Sequence, residues 1–333
     1  MKLLRIAALS AVILALLVVM LGAYTRLTNA GLGCPDWPGC YGQLVLPSAQ
    51  SELAHAQREY PQSPIESGKA WTEMVHRYAA GTLALLVVFI AWRILKLRSS
   101  VDKRLPWILP FVLLMLIGFQ AALGMWTVTL KLLPVVVMGH LLGGILIFSC
   151  LCYFCWQLSA IRGQNCPKWR GWISLGIVIV FCQIALGGWV SSNYAGLACI
   201  GFPQCNGQWI PALHFSEGFN FFSAIGANYQ GGLLDNESRV TIQFIHRLGA
   251  YVTAVYVLVL TGLIVLRVPL KNVRKAALVA ILLIVTQFML GIINVVYLLP
   301  LWSSVLHNGV AALLLASMVS LRYFVTEGAW YAR

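Results

Sequence analysis

The sequence predicts an all-α polytopic membrane protein: eight transmembrane helices forming two duplicated four-helix bundles, related by a pseudo-two-fold axis along the membrane normal. Three observations predict it. Of the 333 residues, 60% are hydrophobic and 10% charged, with a mean hydropathy of +0.82; a globular chain carries about 25% charged residues. Several apolar runs reach about 20 residues, enough to cross roughly 30 Å of hydrocarbon as helices. The second half of the chain also repeats the first. Open sheets leave backbone groups unpaired in lipid, and the alternating pattern of an outer-membrane barrel is absent.

The runs place spans at 6–24, 72–95, 106–128, 134–158, 171–191, 242–266, 274–297 and 301–325. Lys2 and Arg5 before the first run also suit a signal peptide. That reading is weaker, because the run is long and its counterpart at 171–191 is internal. The formal charge of +13 sits between spans rather than on a nucleic-acid face. Lys2, Arg5, Arg93, Lys96, Arg98, Lys103, Arg104, Arg162, Lys168, Arg170, Arg267, Lys271, Arg274 and Lys275 share one side. Asp36, Glu52, Glu59, Glu66, Glu217, Asp235 and Glu237 lie on the other. The excess of Lys and Arg predicts both termini in the cytoplasm of a bacterial inner-membrane protein, with loops 25–71 and 192–241 outside.

Cys34, Cys40, Cys199 and Cys205 fall in those outer loops. An oxidising compartment preserves disulfides, so Cys34–Cys40 and Cys199–Cys205 are expected bridges. A metal site is weaker, since neither loop holds a histidine at zinc-ligand spacing. Cys150, Cys152 and Cys155, in "CLCYFC", read as small apolar packing residues.

The two loops are copies: "AGLGCPDWPGCYGQ" (30–43) and "AGLACIGFPQCNGQ" (195–208). "EMVHRYAAGT" (73–82) matches "QFIHRLGAYV" (243–252), "FQAALGMW" (119–126) matches "TQFMLGII" (286–293), and "LLPVVVMGHLLGG" (132–144) matches "LLPLWSSVLHNGV" (298–310). A four-span unit is therefore duplicated, with units at 1–160 and 161–333. An even span number keeps both copies the same way up. Gly81, Gly124, Gly143, Gly144, Gly187, Gly188 and Gly291 would let helices approach closely.

His76, His140, His246 and His307 occupy equivalent places on alternate spans, roughly 5–10 Å below the outer helix ends. Ionisable groups inside membrane helices are functional candidates. Two histidines from different helices of one bundle can clamp a flat macrocycle, and haem iron takes imidazole well. A haem is thus expected in each half. Zinc or copper would need further ligands, and none recur. Arg77 and Arg247 follow the first histidine of each pair; each suits a haem propionate or an interfacial anchor. Arg26 and Arg239 are further propionate candidates. Glu73 stands three residues before His76, where the second half has Gln243. An i, i+3 pair shares a helix face, so the first site gains a carboxylate; alternatively Glu73 pairs with Arg77 at the outer edge. The asymmetry suggests one reactive site and one electron relay.

Together "GAYTRLTNAGLGC", "EMVHRYAAG", "GHLLGG", "IHRLGAY" and "LHNGVAALLL" resemble the haem A synthase family over nearly the whole chain. The resemblance implies an oxidoreductase that converts the methyl group at position 8 of haem O to a formyl group, giving haem A for terminal oxidases. It implies haem b, the resident cofactor, between His246 and His307, and substrate haem O between His76 and His140. It makes Glu73 the catalytic glutamate and Cys34–Cys40 the functional cysteine pair. The second pair suggests instead that each disulfide staples a lid over a haem pocket. Expected partners are haem O, the lipid bilayer, a haem O synthase, an electron donor and further copies in a homo-oligomer; nucleic acid is not among them. The rival reading is a non-catalytic di-haem b electron carrier. It leaves Glu73 unexplained and puts both haems at one depth.

Overall fold

The computed structural model describes residues 1–100, 103 and 105–326. Of the charges used above, Arg104 lies outside the described residues, as does the C-terminal tail whose side was predicted. The elements in order are α1 (Lys2–Leu27), α2 (Gln50–Glu59), α3 (Ser67–Ser100), α4 (Ile108–Thr129), α5 (Pro134–Leu158), α6 (Pro167–Ser192), α7 (Phe215–Gly218), α8 (Asn236–Arg267), α9 (Lys271–Val296) and α10 (Leu301–Phe324). Among the described residues, all but α2 and α7 are long and apolar enough to cross a membrane, eight helices. Each expected span has its helix.

Local chemistry sets the ends. Pro134 and Pro167 open α5 and α6, where the missing N–H costs nothing. The Asp235 carboxylate accepts the Ser238 N–H at 2.7 Å and caps α8. After α1 and α6 the chain turns left-handed at Asn29 (φ 54°) and Tyr194 (φ 55°). Ala30 N–H then bonds the Thr25 carbonyl, and Ala195 N–H the Val190 carbonyl, both at 2.9 Å. Left-handed residues recur in the α4–α5 turn at Leu132 and the α9–α10 turn at Leu299. The repeated sequence therefore carries repeated turns.

In the first half, α1 packs on α3 and α5, and α4 closes the ring against α3 and α5. In the second half, α6, α8, α9 and α10 close the same ring. The halves meet through α1–α10, α5–α10 and α5–α6. This list of neighbours is unchanged when the halves are exchanged. A core running through both halves includes Leu4, Ile90, Ile94, Leu151, Phe154, Ile264 and Leu321. Leu85, Met115 and Leu266 project outward, as lipid-facing residues would. On the side away from the disulfide loops, Gln164 N–H donates to the Phe324 carbonyl at 2.8 Å and Trp156 Nε1 to Ser320 at 2.8 Å. These bonds tie the linker and α5 to the end of α10.

Two sequence expectations need correction. His76 lies nine residues into α3 and His246 ten into α8, about 14–15 Å from the helix starts at 1.5 Å per residue. Polar first turns extend both helices past the apolar run, so position along the helix overstates depth. His140 and His307 lie six residues in, about 9 Å, as expected. Gly81 admits no close helix: a Cβ there would meet nothing within 4 Å.

Candidate functional site: two histidine pairs under disulfide loops

Each histidine ring packs on a glycine of the preceding span. A Cβ would lie 3.0 Å from His76 Cε1 at Gly22, 3.3 Å from His140 Cε1 at Gly124, 3.1 Å from His246 Cε1 at Gly187 and 3.4 Å from His307 Cε1 at Gly291. A Cβ would press on the ring at Gly22, Gly124 and Gly187, which would have to give by a few tenths of an ångström, and would make ordinary contact at Gly291. Glycine thus seats the imidazoles closely as well as serving helix packing. Gly143 and Gly249 make room for Gln120 and Gln183, while Gly188 packs on Met138 and Leu141 and Gly144 on Val19.

The His76 and His140 ring centroids are 6.3 Å apart with planes at 85°. A metal–imidazole bond of about 2.0 Å, plus about 1.1 Å from nitrogen to ring centre, puts two opposed imidazoles about 6.2 Å apart. Edge-to-face aromatic pairs also fall in this range, so the spacing weighs only with the chemistry around it. Nδ1 of His76, His140 and His307 is buried without a hydrogen-bond partner among the described residues.

His246 and His307 face a cavity of roughly 450 Å³ lined by α6, α8, α9, α10, the α5 residues Leu141 and Ile145, and the tip of α1. That volume lies within the range of about 300–1,000 Å³ for cofactor sites. Its walls are mainly apolar, from residues such as Ile184, Ile284, Phe288 and Leu314, with Gln183, Gln243 and Gln287 among the polar groups. This lining would suit a flat apolar macrocycle, with His246 and His307 as the residues that would hold its metal. Leu197 and Phe202 from the second disulfide loop also line the cavity.

Cys34–Cys40 and Cys199–Cys205 are bonded, each with Cα atoms 4.9 Å apart. Among the described residues no group of three or more His, Cys, Asp or Glu could hold a metal ion. The first loop packs on Ala70 and Met74 of α3, the second on Val240 and Phe244 of α8. The two arginines pin these loops. Arg77 Nη1 donates to the carbonyls of Asp36 (3.0 Å), Pro38 (3.3 Å) and Gly39. Arg247 Nη1 donates to Gly201 (2.9 Å) and Gln204 (3.1 Å), and its Nη2 to Cys199.

The halves differ at one turn. Glu73 Oε1 lies 2.5 Å from Arg77 Nη2, and its Oε2 accepts the Cys34 N–H at 3.0 Å. The carboxylate is buried and joins α3 to the disulfide loop. In the second half Gln243 is buried, and its Oε1 has no partner among the described residues. Arg239 is spent on the carbonyls of Gly231 and Gly232.

Sequence reasoning missed the glutamines. Gln183 Nε2 lies 3.0 Å from His246 Nδ1 and donates to the His246 carbonyl at 2.9 Å. Gln287 Nε2 lies 3.2 Å from His307 Nε2. The signal was present in "QAALG", "QIALG" and "QFMLG", each a glutamine four residues before a histidine-seating glycine. It also missed that the α7–α8 loop crosses to the first half. Tyr229 is buried against Leu123, Leu132, Leu133 and Val136, and its N–H donates to the Lys131 carbonyl at 3.0 Å. Cys150, Cys152 and Cys155 remain free thiols against the core. His55 faces Glu59 within α2, and His214 faces Glu237 at the start of α8.

Residues 5–319 match the COX15-CtaA family, described as cytochrome oxidase assembly protein. A heme A synthase from Shewanella oneidensis is 45% identical over 314 residues, covering 93% of each chain. One from Caulobacter sp. strain K31 is 30% identical, covering 94% of this chain and 93% of its own. A third, from Allorhizobium ampelinum, is 28% identical over 93% of this chain and 87% of its own. With a family match over nearly its whole length and relatives of the same span and name, the chain belongs to the COX15-CtaA family, among the heme A synthases.

Proposed function

We propose that this protein is a haem A synthase that oxidises the position-8 methyl of haem O to a formyl group in a bacterial inner membrane. The termini would lie in the cytoplasm and the disulfide loops outside. The first half (1–160) would hold haem O between His76 and His140. The second half (161–333) would hold haem b between His246 and His307. The observation that carries this division is the difference at one matched position beside the first histidine of each pair: a buried, ion-paired Glu73 in one half, the neutral Gln243 in the other.

Methyl to formyl is a four-electron oxidation. Two successive hydroxylations give a geminal diol, which loses water to the aldehyde. Bound haem b supplies one-electron redox chemistry. His76 and His140 hold the substrate from two helices. Glu73, one turn from His76, moves a proton at its carboxylate oxygens, and Arg77 keeps that carboxylate oriented. The stapled loops keep bulk water out. A haem O synthase would supply the substrate. Each hydroxylation would take its oxygen from one admitted water and release two electrons and two protons, so that R–CH3 + 2 H2O gives R–CH(OH)2 + 4 H+ + 4 e−, the electrons passing to an electron-accepting partner.

The test is coexpression with a haem O synthase in a host lacking haem A, followed by haem chromatography and mass analysis. Haem A or its hydroxymethyl precursor should appear with the intact chain and not with Glu73→Gln. Recovery of only haem B and unchanged haem O from folded, haem-loaded protein supplied with electron acceptors would favour the carrier reading.

A further inference from the structure

We infer that Arg26, which belongs to the first half, is the anion-binding residue of the second half's cavity, placed to hold a carboxylate of the group between His246 and His307. This rests on the haem reading above, which makes that carboxylate a propionate.

Arg26 is the penultimate residue of α1 and crosses the seam between the halves. Its Nη2 donates to the Ser191 carbonyl at 2.6 Å, and its guanidinium lies 3.8 Å from the centre of the Tyr194 ring. Both Arg26 and Tyr194 line the cavity. The other guanidinium there, Arg247, is committed to the loop through both Nη atoms. Arg26 Nη1 has no acceptor among the described residues, and the Tyr194 hydroxyl is buried there without a partner. A fixed cation with an uncommitted nitrogen on the cavity wall, beside a buried hydroxyl that lacks a partner, suits a carboxylate.

The repeat makes the assignment asymmetric. In the second half the position matching Arg26 is Ser191, the residue whose carbonyl receives it. The first half therefore lends a cation across the seam and the second returns none. Four residues before Arg26, Gly22 seats His76. One helix end thus touches both sites.

The test uses the full chain carrying His76→Ala and His140→Ala, so that only the second cavity holds haem b. Arg26→Gln and Arg26→Lys are then compared for haem transfer to apomyoglobin, midpoint potential and thermal stability. Losing one charge-assisted hydrogen bond should speed haem transfer in Arg26→Gln about tenfold or more, with Arg26→Lys closer to the parent. The midpoint potential should fall, because a nearby cation favours the reduced haem; a tenfold change in that equilibrium is about 59 mV for one electron. A residue that only staples the seam would lower thermal stability and leave the potential unchanged, which overturns the inference. Unchanged transfer and potential in Arg26→Gln overturn it as well, while leaving the haem reading intact. A parent chain without haem b would overturn both together.

Discussion

Replacing Glu73 should loosen the first disulfide loop before it does anything else. The carboxylate binds Arg77 at 2.5 Å and the Cys34 N–H at 3.0 Å, with side-chain exposures of 6% for Glu73 and 13% for Arg77. Removing one partner of a buried pair costs about 3–5 kcal/mol. Arg77 keeps its carbonyl acceptors on Asp36, Pro38 and Gly39, so Glu73→Ala belongs at the low end, about 3 kcal/mol. Glu73→Gln retains an acceptor for Cys34 and loses only the charge, about 1–2 kcal/mol. At 1.4 kcal/mol per factor of ten, loop opening rises roughly 100-fold for alanine and about 5–30-fold for glutamine. The assay is the rate at which a membrane-impermeant reductant opens Cys34–Cys40, followed by alkylation and mass analysis. When opening and closing outrun reduction, that rate tracks the opening equilibrium. Cys199–Cys205 in the same molecule is the reference and should not change. Equal reduction rates for Cys34–Cys40 in the parent and both variants would refute the claim that Glu73 holds the loop.

Gly187→Val places a side chain where even a Cβ lies 3.1 Å from His246, so purified protein should lose second-half haem, while Gly81→Ala, facing open space, should keep it with stability unchanged or slightly raised. Gln183→Leu removes the amide beside His246 Nδ1; with the amide turned so that its unpartnered Oε1 accepts the Nδ1–H of a ligating imidazole, its loss should weaken haem retention about 10–100-fold, and unaltered titration with haem b would count against that role. Asp235 should make the start of α8 pH-sensitive. The Ser238 N–H holds its carboxyl below the usual carboxylate range. Its contribution is therefore complete above that range and is lost as pH falls through the lower folded value. Hydrogen exchange at 236–239, corrected for intrinsic rates, should accelerate on acidification in the parent and not in Asp235→Asn, which caps without titrating.

Span number and helix identity were legible because hydrocarbon thickness and backbone hydrogen bonding leave few solutions for runs such as 134–158. Helix ends were less legible. The polar first turns of α3 and α8 stay helical outside the apolar run, and hydropathy does not report that. The paired histidines and cysteines could be read because similar sequence segments present them twice. The partners of Arg77 and Arg247 could not, since the carbonyls they bind carry no side-chain signature. Nothing in the local sequence places Arg26 beside Ser191, 165 residues away; only packing of the halves does. The repeated glutamine-to-glycine spacing was visible, and its meaning emerged only when each glycine was found under an imidazole.

The division of labour between the histidine pairs is tested most directly by the haems that copurify with His76→Ala and His246→Ala when a haem O synthase is coexpressed. His246→Ala should lose haem b and still carry haem O, while His76→Ala should keep haem b and lose haem O and haem A. Loss of both haems to the same extent from either variant, or the same haem in both sites, would contradict it.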